Sequence, residues 1–86
     1  THPKIRDVQV VGVKDDRYGE EACAWIILKK GETSDEEEMR QYGNDHMAKH
    51  KVPRYFLFVQ DFPMNAAGKI QKFKMKAQSE DILGLA

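Results

Sequence analysis

The sequence predicts an α+β fold in which helices pack on a small three-stranded sheet. Two runs of β-branched and apolar residues follow one another early in the chain, and a third run of strand length comes later. Between the second and third runs lies a segment of helical length with an acidic start. A chain of 86 residues has room for one hydrophobic core. We therefore expect one domain that spans residues 1–86.

The first two strands are predicted at residues 7–15 and 22–28. The first is a β-branched run of strand length, in which Gly12 interrupts the valines at positions 8, 10, 11 and 13. The second is apolar on both faces, which is typical of a buried strand. A turn-like loop at residues 14–19 separates them and predicts an antiparallel hairpin. In the second strand we expect Trp25 to belong to the core and Cys23 to act as a small buried hydrophobe.

A helix is predicted from Ser34 to about Lys49. Ser34 can cap the amide three residues on, and Glu37 can reach back to it. Gly43 within the helix costs roughly 1 kcal/mol relative to Ala unless close packing requires it. Pro53 ends this segment.

The rest of the chain is predicted to form a third strand, a loop and a final helix. The strand covers residues 55–59, and a small-residue loop at residues 65–68 leads into a brief extended piece. A helix is expected to begin around Lys72. The tail from Ser79 to Ala86 is interpreted as a frayed end or a docking segment.

The charge balance argues against several classes of partner. Lys and Arg number 14, Asp and Glu also number 14, and both signs are mixed along the chain. Such a chain has no overall field that attracts nucleic acid or an anionic membrane. No stretch approaches the roughly 20 apolar residues of a membrane span. We expect no nucleic-acid partner and no membrane span.

The pair Gly68-Lys69 is the candidate anion site. A phosphate-binding P-loop is rejected because it needs a glycine where Pro63 stands and a hydroxyl residue where Ile70 stands. What remains is a lysine at the tip of a loop whose glycine allows close approach of a ligand, with the ammonium as a mobile point charge.

Other candidate sites are weaker. His46 and His50 have the spacing of a zinc-protease motif, but Met47 stands beside His46 where that motif has a glutamate. The adjacent Glu20 and Glu21 would point to opposite sides of a strand and cannot converge on one bond. We expect no metal site. From the residues alone the chain is an α+β domain with one anion-seeking lysine loop.

The order of segments resembles the C-terminal domain of the AMP-forming acyl-CoA synthetases, which belong to the adenylate-forming enzymes. The details resemble the branch that acts on medium-chain fatty acids. The resemblance covers nearly the whole chain, and the last of its segments is the most specific. These segments are His2-Pro3 with residues 8–13, residues 15–21, Lys51-Val52-Pro53-Arg54-Tyr55, and Phe62-Pro63 to Gly68-Lys69-Ile70-Gln71-Lys72.

This resemblance implies a two-step reaction in a longer enzyme. A fatty acid and ATP give an acyl-adenylate, and coenzyme A then displaces AMP. Lys69 falls on the family's catalytic lysine, and Gly68 lets the loop approach the adenylate. After a rotation of the domain, the loop at residues 15–19 would approach the coenzyme A channel. ATP with Mg²⁺ and coenzyme A are implied as substrates of the longer enzyme.

The sequence also departs from the family pattern. Asn65 and Ala67 stand where threonine or another small hydroxyl residue is usual, and in the preceding motif only Pro53 matches firmly. The hinge and the N-terminal domain are absent, so we expect the domain alone to be inactive and to bind none of these substrates. Its expected partner is its own N-terminal adenylation domain, in the cytoplasm or, in a eukaryote, the mitochondrial matrix.

Two alternatives remain open at this point. One is an adenylating enzyme with an acceptor other than coenzyme A, because the acceptor pocket lies largely outside this chain. The other is a stand-alone protein-binding module of the same fold, in which Lys69 is a solvated charge.

Overall fold

The computed structural model describes residues 2–85 and confirms the α+β prediction. Within that range the strands form one three-stranded sheet in the order β1-β2-β3, with β1 antiparallel and β3 parallel to β2. In chain order the elements are β1 (Ile5–Asp15), β2 (Gly19–Leu28), α1 (Glu36–His46), a 3₁₀ turn (Lys49–Lys51), β3 (Tyr55–Phe58) and α2 (Lys72–Leu83).

Apolar side chains cover both faces of the sheet. On one face, valines of β1 and alternate residues of β2 pack against α2 and the segment before it: Val11, Val13, Cys23, Trp25, Ile27, Phe62 and Met75. On the other face, Ala24 and Ile26 pack against Met39 of α1. The sheet therefore lies between the two helices, as the run of apolar residues in β2 indicates.

The predicted core position of Trp25 is confirmed, and its ring nitrogen has a partner. Trp25 Nε1–H donates to Ser79 Oγ at 2.6 Å, and Ser79 Oγ–H donates to the carbonyl of Met75 at 2.6 Å. Cys23 is fully buried beside them, and this burial raises the pKa of its thiol. These contacts join α2 to β2 inside the core.

Helix α1 begins and ends at different residues from those predicted. Asp35 caps it instead of Ser34, because the Asp35 carboxylate accepts the Glu38 N–H at 2.8 Å. Ser34 Oγ–H donates instead to the Glu38 carboxylate at 2.6 Å. The helix stops at His46, where Met47 takes an extended conformation.

Gly43 is explained by close packing in α1. It is buried, and a Cβ built on it would lie 3.1 Å from a methyl carbon of Val52. The small residue therefore allows the segment after the helix to lie close to it.

Helix α2 begins at Lys72, as predicted, and of the two interpretations of the tail the docking segment is confirmed and the frayed end is wrong. The helix continues to Leu83, Ser79 is fully buried, and Leu83 and Leu85 pack against the larger cluster. Gly84 ends the helix in the left-handed conformation at φ 71°. Ala86, the last residue of that predicted tail, lies outside the described residues. Between residues 2 and 85, neither helix is long and apolar enough to cross a membrane.

Candidate functional site

Lys69 lies on a tight hairpin that precedes α2. We call residues 63–71 the lysine hairpin. Its two arms meet in an antiparallel bridge between Met64 and Ile70, and the Gln71 N–H closes its base on the Pro63 carbonyl at 2.9 Å. The brief extended piece predicted before α2 is this returning arm.

Asn65 and Gly68 shape the tip of the lysine hairpin. The Gly68 N–H donates to the Asn65 carbonyl at 2.9 Å, which closes a β-turn. The Asn65 side-chain oxygen accepts two further backbone N–H groups, from Ala67 at 2.9 Å and Lys69 at 3.0 Å. Gly68 adopts φ 80°, a conformation that other residues rarely adopt.

The lysine hairpin is anchored at its base and exposed at its tip. Phe62, just before it, is buried, and Ile70 packs against the same cluster. Lys69 is exposed, and no carboxylate of residues 2–85 pairs with its ammonium. The backbone of Lys69 is thus fixed while its charge remains available to a ligand.

One polar atom at the base of the lysine hairpin is unsatisfied. Gln71 Oε1 is buried without a hydrogen-bond partner in the part of the chain that the structure describes. The side chain of Gln71 also makes no capping bond to α2. The backbone N–H of Gln71, and not its side-chain amide, therefore closes the base of the lysine hairpin.

The loop between β1 and β2 is also held by hydrogen bonds from its backbone to one side chain. The Asp15 carboxylate accepts the N–H groups of Arg17 at 3.0 Å and Tyr18 at 2.7 Å, and Gly19 turns the chain at φ 83°. The exposed side chains of Arg17 and Tyr18 lie on this loop, with the guanidinium 5.2 Å from the ring centre. This loop therefore offers a second exposed surface with one cation.

The lysine hairpin and the β1–β2 loop lie at opposite ends of α2. Lys69 precedes the first turn of the helix, whereas Asp15 and Arg17 share a cavity wall with Gly84 and Leu85, which follow its last turn. A helix of 12 residues is about 18 Å long. The two loops are therefore too far apart to act on the same atoms at the same time.

The two histidines singled out in the sequence do not share a helix face. His46 is the last residue of α1 and stacks on Tyr42 with 4.0 Å between ring centres, whereas His50 lies in the 3₁₀ turn. Among the described residues there is no group of three or more His, Cys, Asp or Glu side chains placed to hold a metal ion.

The role of Asn65 in the site was not predicted from the sequence. Its signal was present in the sequence, because asparagine at the first position of a turn and glycine at the fourth are the residues that such a turn favours. The family pattern, which usually has hydroxyl residues at positions 65 and 67, concealed this signal. Asn65 makes the side-chain hydrogen bonds that hold the loop.

Comparison with known proteins gives a family match. The model of the AMP-binding enzyme C-terminal domain matches residues 1–69. The mitochondrial medium-chain acyl-CoA ligase ACSF2 of Danio rerio is 55% identical over 85 residues, which is 99% of this chain and 14% of that relative. The chain therefore corresponds to a small part of that protein's length.

Solved structures of adenylate-forming enzymes share the fold. A fatty acyl CoA synthetase of Mycobacterium tuberculosis superimposes with a TM-score of 0.81 and 30% identity, covering 94% of this chain and 16% of that one. The amide bond synthetase McbA of Marinactinospora thermotolerans gives a TM-score of 0.80 and 38% identity, covering 90% of this chain and 16% of that one.

Proposed function

The chain belongs to the AMP-binding enzyme C-terminal domain family, and we propose that it is the mobile C-terminal domain of an ATP-dependent fatty acid–CoA ligase. The observation that carries this proposal is the 55% identity to a medium-chain acyl-CoA ligase over 99% of the chain. The rest of such an enzyme, with the hinge and the N-terminal adenylation domain, would supply most of the ATP and acyl pockets.

In the first half-reaction, Lys69 is the catalytic residue of this domain. A carboxylate oxygen of the fatty acid attacks the α-phosphorus of ATP, and pyrophosphate leaves. Negative charge builds on the oxygens around phosphorus in the transition state, and a cation held in place there stabilises it. The exposed ammonium on a fixed backbone supports this role, and Gly68, which has no side chain, lets the loop approach the adenylate.

In the second half-reaction, the domain rotates and presents its β1–β2 loop. The coenzyme A thiolate attacks the acyl carbon of the adenylate, and AMP leaves. The separation of about 18 Å along α2 supports a rotation, because one orientation cannot bring both loops to the same acyl group. Arg17 then offers a cation near the phosphates of coenzyme A.

The substrates of the longer enzyme are a fatty acid, coenzyme A and ATP with its Mg²⁺ ion. The named relative is mitochondrial, which supports the mitochondrial matrix as the location if the source is a eukaryote. For any other source, the proposed location is the cytoplasm.

The test is the longer enzyme with Lys69→Ala. Acyl-adenylate formation should slow by roughly 10²-fold or more, the scale for loss of one preorganised electrostatic donor. Thioester formation from preformed acyl-adenylate should be nearly unchanged, because the rotated domain has carried the lysine hairpin away. Lys74→Ala is the matched control, since this exposed lysine lies on the first turn of α2. Equal losses in both half-reactions would contradict the assignment.

A second candidate is an adenylating enzyme whose acceptor is an amine. The likeness to an amide bond synthetase, at 38% identity over 90% of the chain, favours it. Release of AMP from the longer enzyme, measured with coenzyme A and with amines in separate reactions, distinguishes the two acceptors. Turnover that depends on an amine and not on coenzyme A would favour this candidate.

A further inference from the structure

Strand β1 is an edge strand whose outward backbone groups can be identified from the pairing. The carbonyls of Ala22 and Ile26 on β2 accept N–H groups from the β3 side, at 3.0 and 2.9 Å. Their partners in the β1–β2 register are Gly12 and Val8. In an antiparallel pair, residues opposite such positions point their own peptide groups away from the partner strand. Alternate residues of β1 therefore point their backbone N–H and carbonyl groups away from β2, and these residues are Val8, Val10, Gly12 and Lys14.

Side chains of α2 cover this edge. Three of them, spaced four residues apart, form what we call the edge stripe: Lys72, Lys76 and Glu80. Lys72 Nζ donates to the Val10 carbonyl and Lys76 Nζ to the Gly12 carbonyl, each at 3.3 Å. The Glu80 carboxylate accepts the Lys14 N–H at 2.7 Å. Four helical residues rise about 6 Å and two strand residues about 6.8 Å, so the two repeats stay in step over this length.

The charges of the edge stripe also pair with one another. Lys76 Nζ lies 3.0 Å from the Glu80 carboxylate and 3.7 Å from that of Glu20. The hydrogen bond to Glu80 raises the pKa of Lys76, and the bonds from Lys76 and the Lys14 N–H lower the pKa of Glu80. Both groups therefore stay charged where they contact the strand. On β1 itself, the Asp7 carboxylate covers the Val8 N–H at 2.8 Å.

The strand beneath this cover has the composition of a self-associating segment. Residues 8–13 are Val-Gln-Val-Val-Gly-Val, without charge or proline, and Val8 and Val10 remain 42% and 45% exposed. An uncharged segment of high β-propensity on a sheet edge is a template for pairing with another strand. A second copy of the same strand fits it antiparallel about a two-fold axis, because the pattern is then self-complementary.

We propose that the edge stripe masks β1 against pairing with a second copy of this chain. An incoming strand needs the same outward carbonyl and N–H groups that the edge stripe occupies, and the side chains of α2 stand in its path. The mask acts independently of the reaction assigned to Lys69.

The test removes the edge stripe from the 86-residue chain. The variant Lys72→Ala, Lys76→Ala, Glu80→Ala should form dimers at micromolar concentration in light scattering after size exclusion, while the unmodified chain stays monomeric. In hydrogen exchange, the outward amides of Val10 and Gly12 should slow at least about tenfold as the dimer forms. The control Lys51→Ala, Lys74→Ala, Asp81→Ala removes three exposed groups of the same charges and should stay monomeric.

A second substitution separates strand pairing from general aggregation. Adding Val8→Lys to the stripe variant places like charges on paired edges and should restore the monomer, whereas aggregation through other surfaces would persist. Circular dichroism establishes that each variant is folded. If the triple variant unfolds, Lys76→Ala alone supplies the readout. A folded variant that stays monomeric with fast amides at Val10 and Gly12 overturns the proposal.

Discussion

At the scale of single residues, Asn65 controls the geometry of the candidate site more than the flanking side chains do. Its one side-chain oxygen holds the N–H groups of Ala67 and Lys69, so the backbone of the lysine is tied to the start of the same turn. This arrangement fixes where the ammonium chain begins and leaves the rest of it free to meet a ligand.

Asn65→Ala should therefore loosen the lysine hairpin. Loss of the two hydrogen bonds, each worth about 1 kcal/mol at most at an exposed site, should speed hydrogen exchange at the Lys69 amide by about tenfold. Asn65→Asp retains the acceptor oxygen and should keep exchange close to that of the unmodified chain. Unchanged exchange in Asn65→Ala, measured by NMR, would show that the backbone turn holds itself.

Glu80 should make the free energy of unfolding depend on pH in the acid range. Its pKa is lowered by the hydrogen bond from Lys76 and by the Lys14 N–H. A group whose folded pKa is lowered stabilises fully above its unfolded pKa of about 4.3, and this stabilisation is lost as pH falls through the folded pKa. The free energy of unfolding should therefore fall on acidification below about pH 4.3.

Urea unfolding in steps from neutral to acid pH measures this effect. Glu80→Gln should show a shallower fall with pH than the unmodified chain, and Asp81→Asn, at an exposed neighbouring position, should follow the unmodified chain. Identical pH profiles for Glu80→Gln and the unmodified chain would contradict the assigned role of Glu80.

At the scale of elements, the buried pair of Trp25 and Ser79 joins α2 to β2. The indole N–H has the Ser79 hydroxyl as its partner at 2.6 Å, and both residues are buried. Ser79→Ala should lower the free energy of unfolding by about 1–3 kcal/mol, because it leaves the indole donor buried without a partner.

A double-mutant cycle with Trp25→Phe isolates this bond. Because phenylalanine has no donor, Ser79→Ala should cost clearly less in the Trp25→Phe chain than in the unmodified chain. Equal costs in the two backgrounds, measured by urea unfolding, would mean that the hydroxyl serves only its own helix through the Met75 carbonyl.

The elements also show what local sequence pattern can and cannot predict. The first two strands and the start of α2 follow from β-branched runs and from the loop before Lys72. The predicted cap of α1 differs from the observed one by one residue, because Ser34 and Asp35 are both residue types that cap helices. In the structure Ser34 bonds the Glu38 side chain, which leaves Asp35 to cap the Glu38 N–H. The parallel pairing of β3 depends on contacts distant in sequence, which periodicity does not encode.

The edge stripe could not be predicted from the sequence for a similar reason. Lysines at positions 72 and 76 resemble a solvated helix face, and their contacts with the carbonyls of Val10 and Gly12 are formed across more than sixty residues. The lysine hairpin, in contrast, is local, so the position of Lys69 at a loop tip could be predicted.

At the scale of the whole molecule, the helices cover the two faces of the sheet and leave the lysine hairpin exposed before the first turn of α2, with no carboxylate of residues 2–85 paired to Lys69. The helix that follows it runs alongside β1 in the same direction, and its core contacts fix the base of the lysine hairpin to the sheet. The domain thus presents a positioned charge, and under the proposed function the rest of the enzyme would supply the nucleotide pocket.

This predicts that the 86-residue chain alone does not bind ATP with useful affinity. One unit charge facing another at 4 Å gains only about 1 kcal/mol in water, whereas a dissociation constant of 1 mM already requires about 4 kcal/mol. Titration with ATP followed by amide NMR should therefore give small, non-saturating shifts below about 1 mM, and the Lys69→Ala chain should behave alike. Saturable shifts at micromolar ATP, centred on residues 68–70 and absent in Lys69→Ala, would show that the domain carries a nucleotide site of its own.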